Sequence, residues 1–85
     1  MTAYVYIVKC SDNTLYTGWT TCLIKRLKMH NNGKASKYTR VRLPVEIIFW
    51  EQHETKENAL KREREIKSFS RAEKLELCNN KQAFL

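Results

Sequence analysis

Ala3-Tyr4-Val5-Tyr6-Ile7-Val8 is an unbroken run of β-branched, aromatic and small apolar residues, the pattern of a buried strand. Ser11-Asp12-Asn13-Thr14 supplies turn chemistry, and Leu15-Tyr16-Thr17-Gly18-Trp19 resumes strand character, so a hairpin is the simplest connection. Gly18 inside that pattern marks a bulge or a close backbone approach. Thr20 or Thr21 can cap the next element and Asn31-Asn32-Gly33 can stop it, which predicts a helix over 21–31. At about 100° per residue, Leu23, Ile24 and Leu27 share its core face. Arg26 and His30, one turn apart, project side by side at the border of that face, toward the edge of a cleft.

Residues 33–44 read as a basic loop ending at Leu43-Pro44, and Val45-Glu46-Ile47-Ile48-Phe49-Trp50-Glu51 is the strongest strand pattern in the chain. Thr55 opens a second helix reaching Phe69, with Ala59, Leu60, Ile66 and Phe69 on its apolar arc. Ser70-Arg71-Ala72-Glu73 is a capping box, so a third helix starts there and runs to Cys78. The order ββαβαα predicts an α+β fold, one domain over residues 1–85 in which a small antiparallel sheet is covered by helices. Hairpin register is left open. A loop over 11–14 puts Tyr6 and Tyr16 on opposite faces, and a three-residue loop over 12–14 puts them on the same face.

Charge sharpens the picture. The formal net charge is +7 in 85 residues; 1–45 carry eight basic residues and one acidic, whereas 46–85 carry eight of each. From Lys25 to Arg42 there are seven Lys or Arg and no acid, interleaved with Asn31, Asn32, Ser36, Tyr38 and Thr39. Such a segment reads as a surface for a polyanion, nucleic acid before an anionic membrane or a merely solvated face, because it lacks the bulky apolar residues of a membrane-surface helix. No apolar run approaches the ~18–20 residues of a membrane span, and the N-terminus lacks a basic signal-peptide head, so a cytoplasmic protein is expected. Cys10, Cys22 and Cys78 form no CxxC and read as free thiols. A chain of this length buries roughly 60–65% of its unfolded surface, which leaves no room for a second domain or a dinucleotide-binding fold.

Glu63 departs from the pattern. It falls near the centre of the arc that holds Ala59, Leu60 and Ile66, whereas Glu57 and Glu65 fall opposite. A carboxylate there must be paired, protonated or metal-bound, and Lys67, one turn on, is the available ion-pair partner. A hard cation such as Mg²⁺ needs only one or two protein carboxylates, completing its shell with water and substrate phosphate. Tyr4, Tyr6, Tyr16 and Tyr38 are either core filler or candidates for a base that deprotonates water, a role for which a phenol needs nearby cations. An Arg at the cleft edge could hold a scissile phosphate. His53 reads as a solvated turn residue.

Tyr4-Val5-Tyr6, Tyr16-Thr17-Gly18, Lys25-Arg26-Leu27 with His30, and Ala59 through Lys67 resemble, in order and spacing, the signature and glutamate helix of the GIY-YIG nuclease superfamily. Residues 30–40 and Pro44-Val45 are similar to its small stand-alone bacterial members, the YhbQ-like group. The likeness covers residues 3–78, and five pieces in order are more specific than any three-residue motif. It implies a three-stranded antiparallel sheet flanked by helices and a shallow site with Tyr6, Tyr16 (the general base), Arg26 (phosphate), His30 and Glu63 (the single protein metal ligand, for Mg²⁺ or Mn²⁺). It favours the register that puts both tyrosines on one face. Tyr4 stands for the first motif's Gly and Thr17 for the second motif's Ile, and Trp19 stands where repair-subunit members carry lysine. That phosphate contact is therefore absent or supplied by Lys34 or Lys37. The expected activity is metal-dependent endonucleolytic hydrolysis of DNA, branched or repair-related, with DNA ahead of RNA. Lys25, Lys34, Lys37, Tyr38 and Arg40 are the expected substrate contacts, and targeting comes from the basic loop, a homodimer or a partner protein. The alternative is a non-catalytic nucleic-acid-binding module of the same fold.

Overall fold

In the computed structural model, which describes residues 2–79, the central strand is β1, Ala3–Lys9. Its neighbours are β2, Leu15–Thr20, and β3, Glu46–His53, both antiparallel to it, in the order β2-β1-β3. Helix α1 spans Leu23–Asn31, α2 Lys56–Lys67 and α3 Arg71–Asn79, with a 3-10 turn at Thr39–Val41. The order ββαβαα is the expected one.

Val5, Tyr6, Ile7 and Val8 are all buried because helices and loops cover both faces of β1, which is why its sequence does not alternate. One face is apolar: Ala3, Val5, Ile7 and Phe49 pack against Ala59 and Ile66 of α2. The other carries Tyr6, Val8 and Cys10 with Leu23 and Val45, flanked by Tyr4, Tyr16, Leu27 and Trp50. Arg62 ties α2 to β3 through an ion pair with Glu51 at 2.8 Å. Burial would raise the Glu51 carboxyl, but hydrogen bonds from His53 and Arg62 outweigh it and hold it below the usual range. His53 is thus part of β3, paired with Glu51 at 2.8 Å, and not a solvated turn residue.

The hairpin loop is three residues long but lies at 11–13, one residue earlier than the 12–14 considered. Cys10 N–H bonds Thr14 O, Asn13 N–H bonds Cys10 O, and Asn13 has φ +68°, the geometry of a tight turn followed by a left-handed residue. Tyr16 therefore pairs with Val8 and Gly18 with Tyr6, so both tyrosines occupy one face, as the family resemblance implies.

Helix α1 begins two residues later than expected. Cys22 is its N-cap without a side-chain bond, and Thr20 Oγ1 instead accepts from Cys22 N–H at 3.2 Å. Its end follows expectation: Gly33 at φ +74° donates to His30 O and Lys34 N–H to Met29 O, the paired bonds of a Schellman stop. Ile24 is 56% exposed, not on the core face, because the short helix packs on the sheet through Leu23, Leu27 and His30. The Asn31 amide accepts from Val45 N–H and donates to Val45 O, fastening the end of α1 to the start of β3. Thr55 caps α2 by accepting from Asn58 N–H, and Ser70 and Glu73 form the reciprocal box opening α3.

Candidate active site

Tyr6 and His30 are the most enclosed of the candidate residues. The Tyr6 hydroxyl lies 2.9 Å from His30 Nε2, and His30 Nδ1 lies 2.9 Å from Thr39 Oγ1. Thr39 Oγ1 can donate onward to Ser36 O, so the order that satisfies every group has His30 Nδ1–H donating to Thr39 and Tyr6 O–H donating to His30 Nε2. Burial, followed by the charge of Arg26, holds the His30 imidazole below its ordinary range and favours its neutral form. Burial also pushes the Tyr6 phenol well above the ordinary tyrosine range, so at neutral pH it is a hydrogen-bond donor. His30 is only 1% exposed, which corrects its expected place at a cleft edge: the aromatic face of the sheet closes over it.

Gly18 allows this enclosure. A Cβ at that position would stand 2.6 Å from Tyr6 Oη and 3.3 Å from Tyr16 Cε2, so the close approach expected at this glycine is a passage for the Tyr6 ring. Tyr16 remains partly exposed. Its ring meets His30 edge-on at 5.6 Å and stacks on Tyr38 at 6.0 Å. The Arg42 guanidinium caps the outer face of Tyr38 at 3.9 Å, while its nitrogens bond Asp12 and Tyr38 O. Arg42 therefore spends its charge on structure, although the basic run counts it among the polyanion contacts.

Tyr6 senses three further candidates electrostatically, with Tyr16 the largest influence, then Arg26 and Glu63. Glu63 stands on α2, which packs on the apolar face, and bears on Tyr6 through its charge. The Glu63 side chain is 15% exposed, with Oε2 3.5 Å from Lys67 Nζ. Lys25 and Arg26 line a neighbouring cavity with Thr20, Thr21, Cys22 and Met29. Lys34, Lys37 and Arg40 share a separate one with Gly33 and Ser36. In the same segment, Tyr38 stacks on Tyr16 and Thr39 holds His30. Trp19 pairs with Val5 on the apolar face, beneath Lys56 at 5.4 Å, and so turns away from the cluster.

With this geometry in view, residues 2–76 match the family model described as the GIY-YIG catalytic domain. The chain belongs to the GIY-YIG family. A UPF0213 protein of Staphylococcus saprophyticus is 54% identical over 76 residues, covering 89% of this chain and 93% of its own. One from Staphylococcus haemolyticus is 50% identical over 78 residues, covering 92% and 95%. Among solved structures, the UPF0213 protein BH0048 of Bacillus halodurans superposes with a TM-score of 0.63 at 41% identity, covering 98% of this chain and 88% of that one. The E. faecalis protein EF2693 gives 0.62 at 33%, covering 100% and 94%.

GIY-YIG proteins form a nuclease family, with nucleic acid as the partner class and divalent metal in general use. Among the described residues no three His, Cys, Asp or Glu side chains gather as a metal cage. Glu63 nevertheless fits a hard cation: its Oε2 faces Lys67 and its Oε1 has no protein partner among the described residues, a donor set suited to an ion that keeps most of its water. No helix is long and apolar enough to cross a membrane among the described residues. Two participants escaped the sequence reading. Thr39 holds His30 from inside the 3-10 turn, and Lys74 on α3 shares a cavity with Tyr16. Thr39 had a signal, a Ser three residues before it that could bond its backbone; Lys74 had none.

Proposed function

We propose that this GIY-YIG protein is a metal-dependent endonuclease that hydrolyses phosphodiester bonds in DNA. The observation that carries the reading is the packing of Tyr16 on the buried Tyr6–His30 pair, with the charges of Arg26 and Glu63 bearing on Tyr6. Glu63 would hold Mg²⁺ or Mn²⁺, which when bound supplies stabilisation of negative charge on the phosphate oxygens. Arg26 orients the scissile phosphate and offsets its charge. Tyr16 Oη takes a proton from the attacking water. Tyr6 and His30 hold the Tyr16 ring in place from behind, Tyr6 as a phenol fixed by the imidazole. Lys25, Lys34, Lys37, Tyr38 and Arg40 contact the polymer on either side. Branched or repair-related DNA is the proposed substrate, acted on in the cytoplasm, with selection by the basic segment, by two copies acting together or by a partner protein.

A second reading, a non-catalytic nucleic-acid-binding module, draws support from the Lys67 ion pair that already neutralises Glu63. Incubation with labelled duplex, single-stranded and branched DNA and with RNA, in Mg²⁺, Mn²⁺ or chelator, separates the two. The nuclease reading expects metal-dependent cleavage that Glu63→Gln and Tyr16→Phe abolish. Cleavage surviving both substitutions overturns the mechanism, and salt-sensitive binding without cleavage selects the module.

A further inference from the structure

Along the open side of β2 lies a cavity of about 260 Å³ lined by Leu15, Tyr16, Thr17, Tyr38, Lys67 and Lys74. We propose that it is a phosphate subsite in which Lys67 and Lys74 together hold one phosphate group of a nucleic-acid chain lying across Tyr16 and Tyr38. The assignment rests on the nucleic-acid reading above and adds a contact from α2 and α3, outside the basic segment 25–42.

Two ammonium groups are gathered on one cavity. Lys74 is half-buried and has no carboxylate within ion-pair distance among the described residues. Burial first, and then the positive charge of Lys67, hold its amine below the ordinary lysine range. Like charges held this way repel unless an anion lies between them. Lys67 has a carboxylate, Glu63, at 3.5 Å, yet its side chain is 52% exposed and lines the cavity as well. Thr17 also lines the cavity; it is 2% exposed and pairs with Ile7 on the apolar face of the sheet. The stacked rings of Tyr16 and Tyr38, pinned by Arg42, form a firm wall opposite the lysines. Because Tyr16 belongs to both the cavity and the candidate site, an occupant here is adjacent to the reacting phosphate.

The test is fluorescence anisotropy of labelled DNA duplexes in chelator across a salt series, which needs no cleavage. Each phosphate neutralised contributes about 0.9 to the slope of log affinity against log salt. Lys67→Gln and Lys74→Gln should each lower the slope by about 0.9, and the double variant by the same about 0.9, because both serve one phosphate. Lys74→Arg should retain the wild-type slope. A loss of about 1.8 in the double variant means two independent surface charges and overturns the shared subsite, as does an unchanged slope. Wild-type protein that binds DNA while the variants match it overturns the subsite alone; wild-type protein with no salt-dependent binding overturns the nucleic-acid reading as well. Duplexes with and without a 5′-phosphate separate the source. A slope loss on both supports an internal phosphodiester, and a loss only with the 5′-phosphate supports a terminal phosphate in the same subsite.

Discussion

The two faces of the sheet use the same strands for opposite ends. On one, Ala3, Val5, Ile7 and Phe49 meet Ala59 and Ile66 in contacts that are purely apolar. On the other, the intervening residues Tyr4, Tyr6 and Val8 meet His30, Tyr16 and Trp50, and the contacts include a buried hydrogen-bond chain from Tyr6 through His30 to Thr39. The apolar face gains stability from area removed from water. The aromatic face accepts the Tyr6 hydroxyl and both His30 nitrogens because each has a partner at 2.9 Å. Lys67, on the helix of the first face and ion-paired to Glu63, shares a cavity with Tyr16 of the second. Labour is divided between the faces: one holds the sheet, and the other orients side chains.

That division breaks if substitutions on the two faces have similar consequences. The largest effect is expected from Tyr16→Phe, which removes the proposed base and should lower cleavage by about 10²–10⁴-fold with little change in the denaturation midpoint. Phe49→Ala should do the reverse. It opens a cavity on the apolar face and should cost about 3–5 kcal/mol in chemical denaturation, while nucleic-acid binding by the remaining folded protein is preserved. If Tyr16→Phe were the more destabilising of the two, the proposed separation would be lost.

Gly18→Ala sharpens the boundary between the faces. Its Cβ would meet the enclosed Tyr6 ring at 2.6 to 2.8 Å, and repacking an overfilled site costs about 1–3 kcal/mol. The Tyr6–His30 bond should break with it, visible as altered His30 ring resonances in NMR; unchanged resonances would show that the ring has another route. The smallest effect is the pH dependence of His30. Its folded pKa lies below the ordinary 6.5, so its contribution is fully present above that value and is lost as the pH falls through the folded pKa, where the buried imidazole must take up a proton. Midpoints at descending pH should fall in the wild type below pH 6.5 and fall less in His30→Gln. Parallel profiles would remove His30 from the titrating groups.

Much of this was legible in local signals. The capping box at Ser70, the stop at Gly33 and the unbroken apolar run of β1 each act through bonds or sterics within a few residues, so each specified its element directly. Glu63 also stood out on its helix by periodicity alone. Ile24 and His30 were misread for a common reason: a helical wheel gives relative angles but not which angle meets the sheet, and here the meeting line runs through Leu23, Leu27 and His30. Cys22 displaced the threonines as N-cap because Thr20 is held back by the end of β2.

From its sequence alone, the chain determined the order and kind of its elements and the concentration of positive charge in one half. Those follow from short-range propensity and from composition. Tertiary structure decided the hairpin register that puts Tyr6 and Tyr16 on one face, the burial of His30 between Tyr6 and Thr39, the diversion of Arg42 to Asp12 and Tyr38, and the meeting of Lys67 and Lys74 beside Tyr16. Each depends on groups distant in the chain competing for one space or one charge, and that competition is resolved only when the sheet, the helices and the loop are packed together.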